Sequence, residues 1–280
     1  MARGAERLGM AVQTISAQVR ALEQELGHAL FKPAGRGMAL TEAGKAATGY
    51  ADQIFQLGEQ LHDAVRDAAT GQGVRLAVGM SDGLPKLVAH HLLQPALQDP
   101  RVRLLCQEDE FDRLLADLAL HRLDVVLSDR PAPPNPNLRL YSHRIGEGSL
   151  AWFAPAAIAK RHAKRFPECL AELPVLLPTA HSAVRVGIDQ WLERQGIRTR
   201  IVGEFEDSAM LAAFGRAGMG VFPASRWSQQ ELLNDSRLHL LGEAPELVEH
   251  FYLVSAERRI QHPLVKRLLE TAPSRAPQVR

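Results

Sequence analysis

Cysteine is scarce in this chain. Cys106 and Cys169 lie far apart and form no CxxC spacing, which excludes a structural zinc module and a dithiol redox motif. They read as free thiols in a reducing cytoplasm, where disulfides are rare. Long apolar runs are lacking as well. No stretch approaches the roughly 18 residues of a membrane span, and the start "MARGAERLGM" has no apolar core of the kind an export signal needs. An excess of one charge is also missing: 33 Lys and Arg stand against 32 Asp and Glu, a net +1. Whole-chain electrostatics therefore give no case for nucleic acid or membrane. Enzyme signatures are absent too. There is no P-loop, no GxSxG, no HExxH, and no GxGxxG after the first strand. "GRAGMG" follows a helical pattern and reads as a helix end. The sequence carries no repeat and no low-complexity tract.

What is present is ample material for a core. Of 280 residues, 46% are hydrophobic and 23% charged, the balance of a globular chain of roughly two domains. "AERLGM" predicts a short helix stopped by Gly9. Val12 to Leu26 predicts a second, with Ile15, Val19, Leu22 and Leu26 on one face and Gly27 at its end. The opposite face carries Gln13, Thr14, Ser16, Ala17, Gln18 and Arg20, short polar groups and one Arg as base edges require. "LFKPAGRGMALT" predicts a hairpin with Lys32 and Arg36 at its tip, placed against phosphate. Thr41 then caps a long helix whose Ile54, Leu57, Leu61 and Val65 form a near-heptad stripe. Nothing in this N-terminal piece is large enough to cover that stripe, so a second copy is expected to. By periodicity alone Val12–Leu26 would be a core helix; turn, wing and linker in this order make it a DNA-reading one. The first 72 residues hold seven Lys and Arg and eight acids, so placement of charge matters more than its sum.

From Val74 the pattern changes to alternating strands and helices. "VRLAVGM", "LPKLVAHHLLQPAL", "VRLLCQEDE", "FDRLLADLALHR" and "LDVVLSD" make a βαβαβ unit, which predicts a parallel sheet with right-handed crossovers. A Pro-rich loop follows. "LRLYSHRIGEGSLAWFAP" reads as two further strand pieces. Residues 174–222 repeat the alternation, and "HFYLVSAE" with a helix from Pro263 closes the chain. The fold class is therefore α/β: an N-terminal winged helix-turn-helix over 1–40, a linker and dimerisation helix over 41–72, and a two-lobed effector domain over 73–280, the second lobe spanning roughly 147–247.

Within this framework "ISAQVRALEQELGHALF" followed by "GRGMALTEAGK" resembles the LysR-type transcriptional regulators, whose effector domain is similar to periplasmic binding proteins. The motif match is specific over residues 5–45, and the architecture extends it over nearly the whole chain. "KPAGRG", "SDRP", "HRIGE", "GEFEDSAMLAAFG" and "AERRIQHPLVKR" resemble one subgroup, the activators of a sodium/proton antiporter gene. The resemblance implies a homodimer or homotetramer that binds promoter DNA, works with RNA polymerase and responds to sodium, with no membrane partner. Two departures stand out. The family's pattern begins with a further helix, which the sequence from Met1 onward does not contain, so the helix-turn-helix is expected to be incomplete and Leu8, Ile15, Val19 and Phe31 less covered. Val12 stands where the family usually has Gln or Pro.

Parallel α/β lobes bind ligands at the carboxyl ends of their strands. Those ends carry Ser81 and Asp82, Glu108 and Asp109, Ser128 and Asp129, Thr179 and Ser182, and Glu206 and Asp207. Helix N-termini there suit a small organic anion, but the acids would repel one and attract a hard cation. The effector set is accordingly Ser81, Asp82, Asp129, Thr179, Ser182 and Asp207, with Asp82, Asp129 and Asp207 sensing sodium or pH. The bland reading of each acid is a helix cap or a solvated group. No metal site or cofactor is expected, a sodium ion being the candidate effector. The eleven histidines, His90, His91, His143 and His262 among them, lack ligand spacing. The alternatives are a LysR-type regulator of another operon with a small organic effector, and a solute-binding α/β protein that reads no DNA.

Overall fold

The computed structural model describes residues 5–6, 9–35, 37–70, 74–135 and 139–271. The chain divides into two compact units, Met1–Val65 and Arg66–Arg280.

In the first unit, Gly9 ends the opening helical turn at φ +63. The Met10 amide donates to the Ala5 carbonyl at 3.0 Å and the Gly9 amide to Glu6 at 3.3 Å. That is the bond pair of a Schellman stop. Helix α1 spans Val12–Leu26, as its periodicity predicts, and Gly27 at φ +71 ends it. β1 (Phe31–Ala34) and β2 (Gly37–Leu40) pair antiparallel as the wing, Lys32 opposite Ala39 and Ala34 opposite Gly37. Lys32 therefore lies on a strand and not at the tip, a correction to the sequence reading. The expected tip residue Arg36 and the core residue Leu8 lie outside the described residues. Helix α2 spans Glu42–Thr70. Thr41 caps it, its hydroxyl accepting from the Gly44 amide at 2.9 Å and donating to the Ala29 carbonyl at 2.7 Å. Gly44 is required at this junction. A Cβ there would meet the Leu30 carbonyl oxygen at 2.0 Å.

The second unit begins with the expected βαβαβ: β3 (Arg75–Ser81), α3 (Lys86–Leu97), β4 (Arg103–Asp109), α4 (Phe111–Ala119) and β5 (Val125–Ser128). β3 pairs parallel with both β4 and β5. Next come β6 (Tyr141–Pro155), α5 (Ala156–His162), β7 (Pro174–Pro178), α6 (Ala183–Arg194), β8 (Arg200–Phe205), α7 (Ser208–Arg216), β9 (Phe222–Ser225), α8 (Gln229–Leu233), β10 (Leu238–Ser255) and α9 (Pro263–Thr271). One six-stranded sheet has the order β4-β3-β5-β10-β6-β9, and β7 pairs with β8. Paired backbone bonds between Leu176 and Val221 and between Val221 and Pro174, each 2.9 Å, tie β7 to the residues before β9.

The sheet is mixed where a parallel one was expected, because β10 runs antiparallel to β5 and β6. Two strand readings need correction. The segment read as two pieces is the single 15-residue strand β6. The closing strand begins at Leu238, well before the predicted "HFYLVSAE". Both strands run through both lobes, and a strand buried in two different environments loses a uniform alternation. One core gathers Leu76, Val78, Val88, Leu92, Leu127 and Phe251 under α3 and α9. Another gathers Trp152, Val175, Leu177, Ile188, Trp191 and Leu192 under α6. These are the cores of the two lobes.

Candidate nucleic-acid interface and effector cleft

Helix α1 has no acid in its first turn, and Ala11 gives it no side-chain cap. The Thr14 amide donates to the Ala11 carbonyl at 3.0 Å, the Val12 and Gln13 amides have no backbone acceptor among the described residues, and the helix dipole there favours anions. Gln13, Thr14, Gln18 and Arg20 are exposed and Ser16 is half-buried. Gln13, Ser16 and Arg20 follow i, i+3, i+7 and share one face. Among the described residues neither Arg20 nor Lys32 is held in an ion pair, so both cations are available to an anionic partner. On the apolar side Ile15 and Val19 are half-buried, while Leu22 and Leu26 are 45% and 49% exposed.

The wing is fixed to α1 by a residue the sequence reading did not assign. The Glu23 carboxylate accepts from the Leu30 and Phe31 amides at 2.7 and 3.1 Å. A charged acceptor makes each such bond about twice as strong as a neutral one. On α2 the stripe remains open. Ile54, Leu57, Leu61 and Val65 are 67%, 48%, 63% and 60% exposed.

In the second unit a cavity of about 140 Å³ lies between the lobes, walled by Pro85, Lys86 and Phe251 on one side and Ile188, Phe205 and Leu211 on the other. Of the predicted effector set, Asp129 and Ser182 line it. Asp129 has a side chain only 6% exposed. Its Oδ2 accepts from the Ala183 amide at 3.2 Å, so a carboxylate of the chain itself occupies the N-terminus of α6. That is where an anionic effector was the standard expectation. Burial pushes the Asp129 carboxyl above its ordinary pKa, and the nearby charge of Asp82 adds to this.

The other members are placed differently. Ser81 is buried at the end of β3 and its hydroxyl has no hydrogen-bond partner among the described residues. The Thr179 hydroxyl is likewise buried and unpartnered there. Asp82 accepts from the Gly83 amide at 2.9 Å. Asp207 caps α7, accepting from the Met210 amide at 2.6 Å, and forms an ion pair with Lys86 of the opposite lobe. Lys86 also reaches Glu108 at 3.0 Å. Burial pushes Asp207 upward, but the bonds from Lys86 and Met210 outweigh it and hold the carboxyl below its ordinary value. Asp207 is thus already neutralised, and of the three acids assigned to sensing, Asp82 and Asp129 form the adjacent pair.

Glu249 was missed. It is 5% exposed, lines the cavity and accepts a hydrogen bond from the Ser225 hydroxyl. Burial pushes its pKa up to about 8, with the Asp129 charge contributing. The sequence signals its inward position on the strand, though not its role in the site. Leu247, Glu249, Phe251 and Leu253 take every second position of one strand and all face inward. Among the described residues no cluster of His, Cys, Asp and Glu could hold a metal ion. Cys106 and Cys169 are both free thiols.

Two family models match this chain. "Bacterial regulatory helix-turn-helix protein, lysR family" matches residues 1–45, and "LysR substrate binding domain" matches 58–276. Among curated relatives, the transcriptional activator protein NhaR of Escherichia coli (strain K12) is 33% identical over 95% of this chain and 88% of its own. The nitrogen assimilation regulatory protein nac of the same organism is 25% identical over 79% of this chain and 72% of its own. Among solved structures, CbnR, a LysR family transcriptional regulator, superposes with a TM-score of 0.60 at 21% identity, covering 98% of this chain and 94% of that one. CbnR has also been solved in complex with its target DNA. The chain belongs to the LysR family of transcriptional regulators. It is a DNA-binding regulator and not an enzyme.

Proposed function

We propose that this protein activates transcription of a sodium/proton antiporter gene in response to sodium or pH. The observation that carries the DNA-reading part is the outer face of α1, with Arg20 in no ion pair among the described residues and sharing that face with Gln13 and Ser16, next to a wing held by Glu23. Gln13, Thr14, Ser16, Gln18 and Arg20 face the major groove, and Lys32 and Arg36 touch the backbone. The 33% identity to a transcriptional activator supports activation, and RNA polymerase is then a partner. The working division is 1–40 for DNA, 41–72 for the linker and dimer contact, and 73–280 for the effector. The open stripe on α2 is covered by a second copy, each buried Leu or Ile contributing about 1.5–3 kcal/mol. A cytoplasmic location follows from the DNA partner. No helix among the described residues is long and apolar enough to cross a membrane.

The cation response is read at Asp82 and Asp129, where a carboxyl held high by burial, with its neighbour's charge adding, is stabilised in its charged form by any arriving cation. Fluorescence anisotropy of the chain on duplex DNA from upstream of its own gene tests the whole reading. Matched sodium and potassium salts at one ionic strength are needed, since phosphate contacts make binding steeply salt-dependent. Selective binding that shifts with sodium is the expected result. Equal curves in both salts, or Asp129→Asn leaving a sodium response intact, would remove the sensing assignment. Absence of selective binding would remove the DNA assignment.

A further inference from the structure

We propose that the cavity between the lobes is a binding site for a small organic ammonium ion with an apolar body, its charge received by Glu249 and Asp129. This rests on the reading of the cleft as the effector site and names the ligand class. Three observations carry it. First, the walls are mostly apolar, with Leu150, Val184, Ile188, Phe205, Leu211 and Phe251 among them. A cavity of about 140 Å³ is close to the size that accommodates a benzene ring.

Second, the cations on the walls are already used and two of the acids are not. Lys86 pairs with Asp207 and Glu108, and Arg216 lies 3.2 Å from Asp235. Glu206 pairs with His181 at 3.0 Å. Glu249 has only the Ser225 hydroxyl as a described hydrogen-bond partner. Asp129 Oδ1 is buried without a hydrogen bond among the described residues, and Arg130 comes no nearer than 4.0 Å.

Third, the backbone is shaped to admit both carboxyls. A Cβ on Gly83 would meet Asp129 Oδ2 at 2.6 Å, and one on Gly148 would meet Glu249 Oε1 at 2.9 Å. The N-terminus of α6, where an anion would dock, is filled by Asp129 itself. An ammonium ion would supply the counter-charge that Glu249 lacks and that Arg130 offers Asp129 only at 4.0 Å, and its body would displace water from the apolar walls.

Charging the site costs a proton. Glu249 faces Ser225 from β9, Asp129 from the end of β5, and Trp227 across Gly148. Asp129 faces Asp82, Arg130 and the Ala183 amide. None of these supplies a full positive charge to Glu249. Ammonium binding therefore releases a proton below about pH 8, and affinity rises with pH up to that point.

The test is isothermal titration of the full chain with benzylamine, benzyl alcohol and benzoate, nearly isosteric probes of positive, zero and negative charge. Benzylamine should bind at least roughly tenfold more tightly than benzyl alcohol, with benzoate weakest. Heats in two buffers of different ionisation enthalpy should reveal proton release. Glu249→Gln and Asp129→Asn should each erase the preference for the amine while benzyl alcohol still binds, which shows the cavity intact. Benzoate binding best, amine and alcohol binding equally, or no probe binding to a folded chain would each overturn the proposal. DNA binding of the same sample is measured in parallel. Amine preference without DNA binding would fail the regulator reading alone, and DNA binding without amine preference would fail this one alone.

Discussion

The Glu23 carboxylate on α1 accepts from two successive amides, Leu30 and Phe31, at the threshold of the wing. Recognition helix and wing are thereby set by one side chain. Glu23→Ala should leave two half-buried donors unsatisfied, a cost of about 1–3 kcal/mol. Amide exchange at Leu30 and Phe31 should accelerate, and DNA affinity should fall for every duplex sequence alike. Unchanged exchange at those two amides would show the bond to be idle.

Arg20 and Lys32 should behave differently on DNA. Arg20→Ala is expected to lose about 1–3 kcal/mol on the cognate site and to relax preference at one base pair. Lys32→Ala should weaken all duplexes evenly and lower the salt slope by about one. Competition binding against single-base variants of the site, over a salt series, separates the two.

Much of this was legible in the sequence, and the reasons are local. Gly27 stops α1 because its φ of +71 suits no side chain well, and Thr41 is a strong cap for α2. Such signals need only a few neighbouring residues. Glu249 was not legible as a site residue. Its significance depends on Ser225, Gly148 and Asp129, which are far away in sequence. The same holds for Lys86, whose partner Asp207 comes from the other lobe. The long strands β6 and β10 were read in fragments because each changes its surroundings partway along.

The buried acid makes stability depend on pH in a defined direction. Glu249 titrates near 8 in the folded chain and near its ordinary value of 4.5 when unfolded. The folded state thus holds the proton more tightly. Its contribution is complete below about pH 4.5 and is lost as pH rises through about 8. Melting temperature should decline across that window, and Glu249→Gln should flatten the decline. A variant with the same slope as the parent would assign the effect elsewhere.

The Lys86–Asp207 pair spans the cleft and has the opposite dependence on the acid side. Asp207 is held below its ordinary value, so its contribution is present above about pH 4 and disappears as acid protonates it. Lys86→Met should lower the melting temperature at neutral pH. The gap to the parent protein should close as pH falls below about 4. A gap that persists in acid would point to packing of the Lys86 stem.

The open stripe of α2 predicts its own test. Leu61→Glu with Ile54→Glu should leave the far-ultraviolet spectrum unchanged, since both side chains are more than half exposed. Light scattering should report a smaller assembly than the parent chain forms. An unchanged mass would place the subunit contact on another face.

One irregularity of β10 has a mechanical meaning. Ala244 lies opposite Leu150 and Val248 opposite Ser149, so Pro245, Glu246 and Leu247 form three steps of chain with no rung on the neighbouring strand. A ladder is stiff where its rungs are complete and compliant where they are missing. Bending at this point stretches no backbone bond between β6 and β10, while Leu247 remains anchored in the second core. Ala244, Leu247 and the facing Leu150 all belong to that core, so the slack lies inside the second lobe, just before β10 reaches the first core at Phe251.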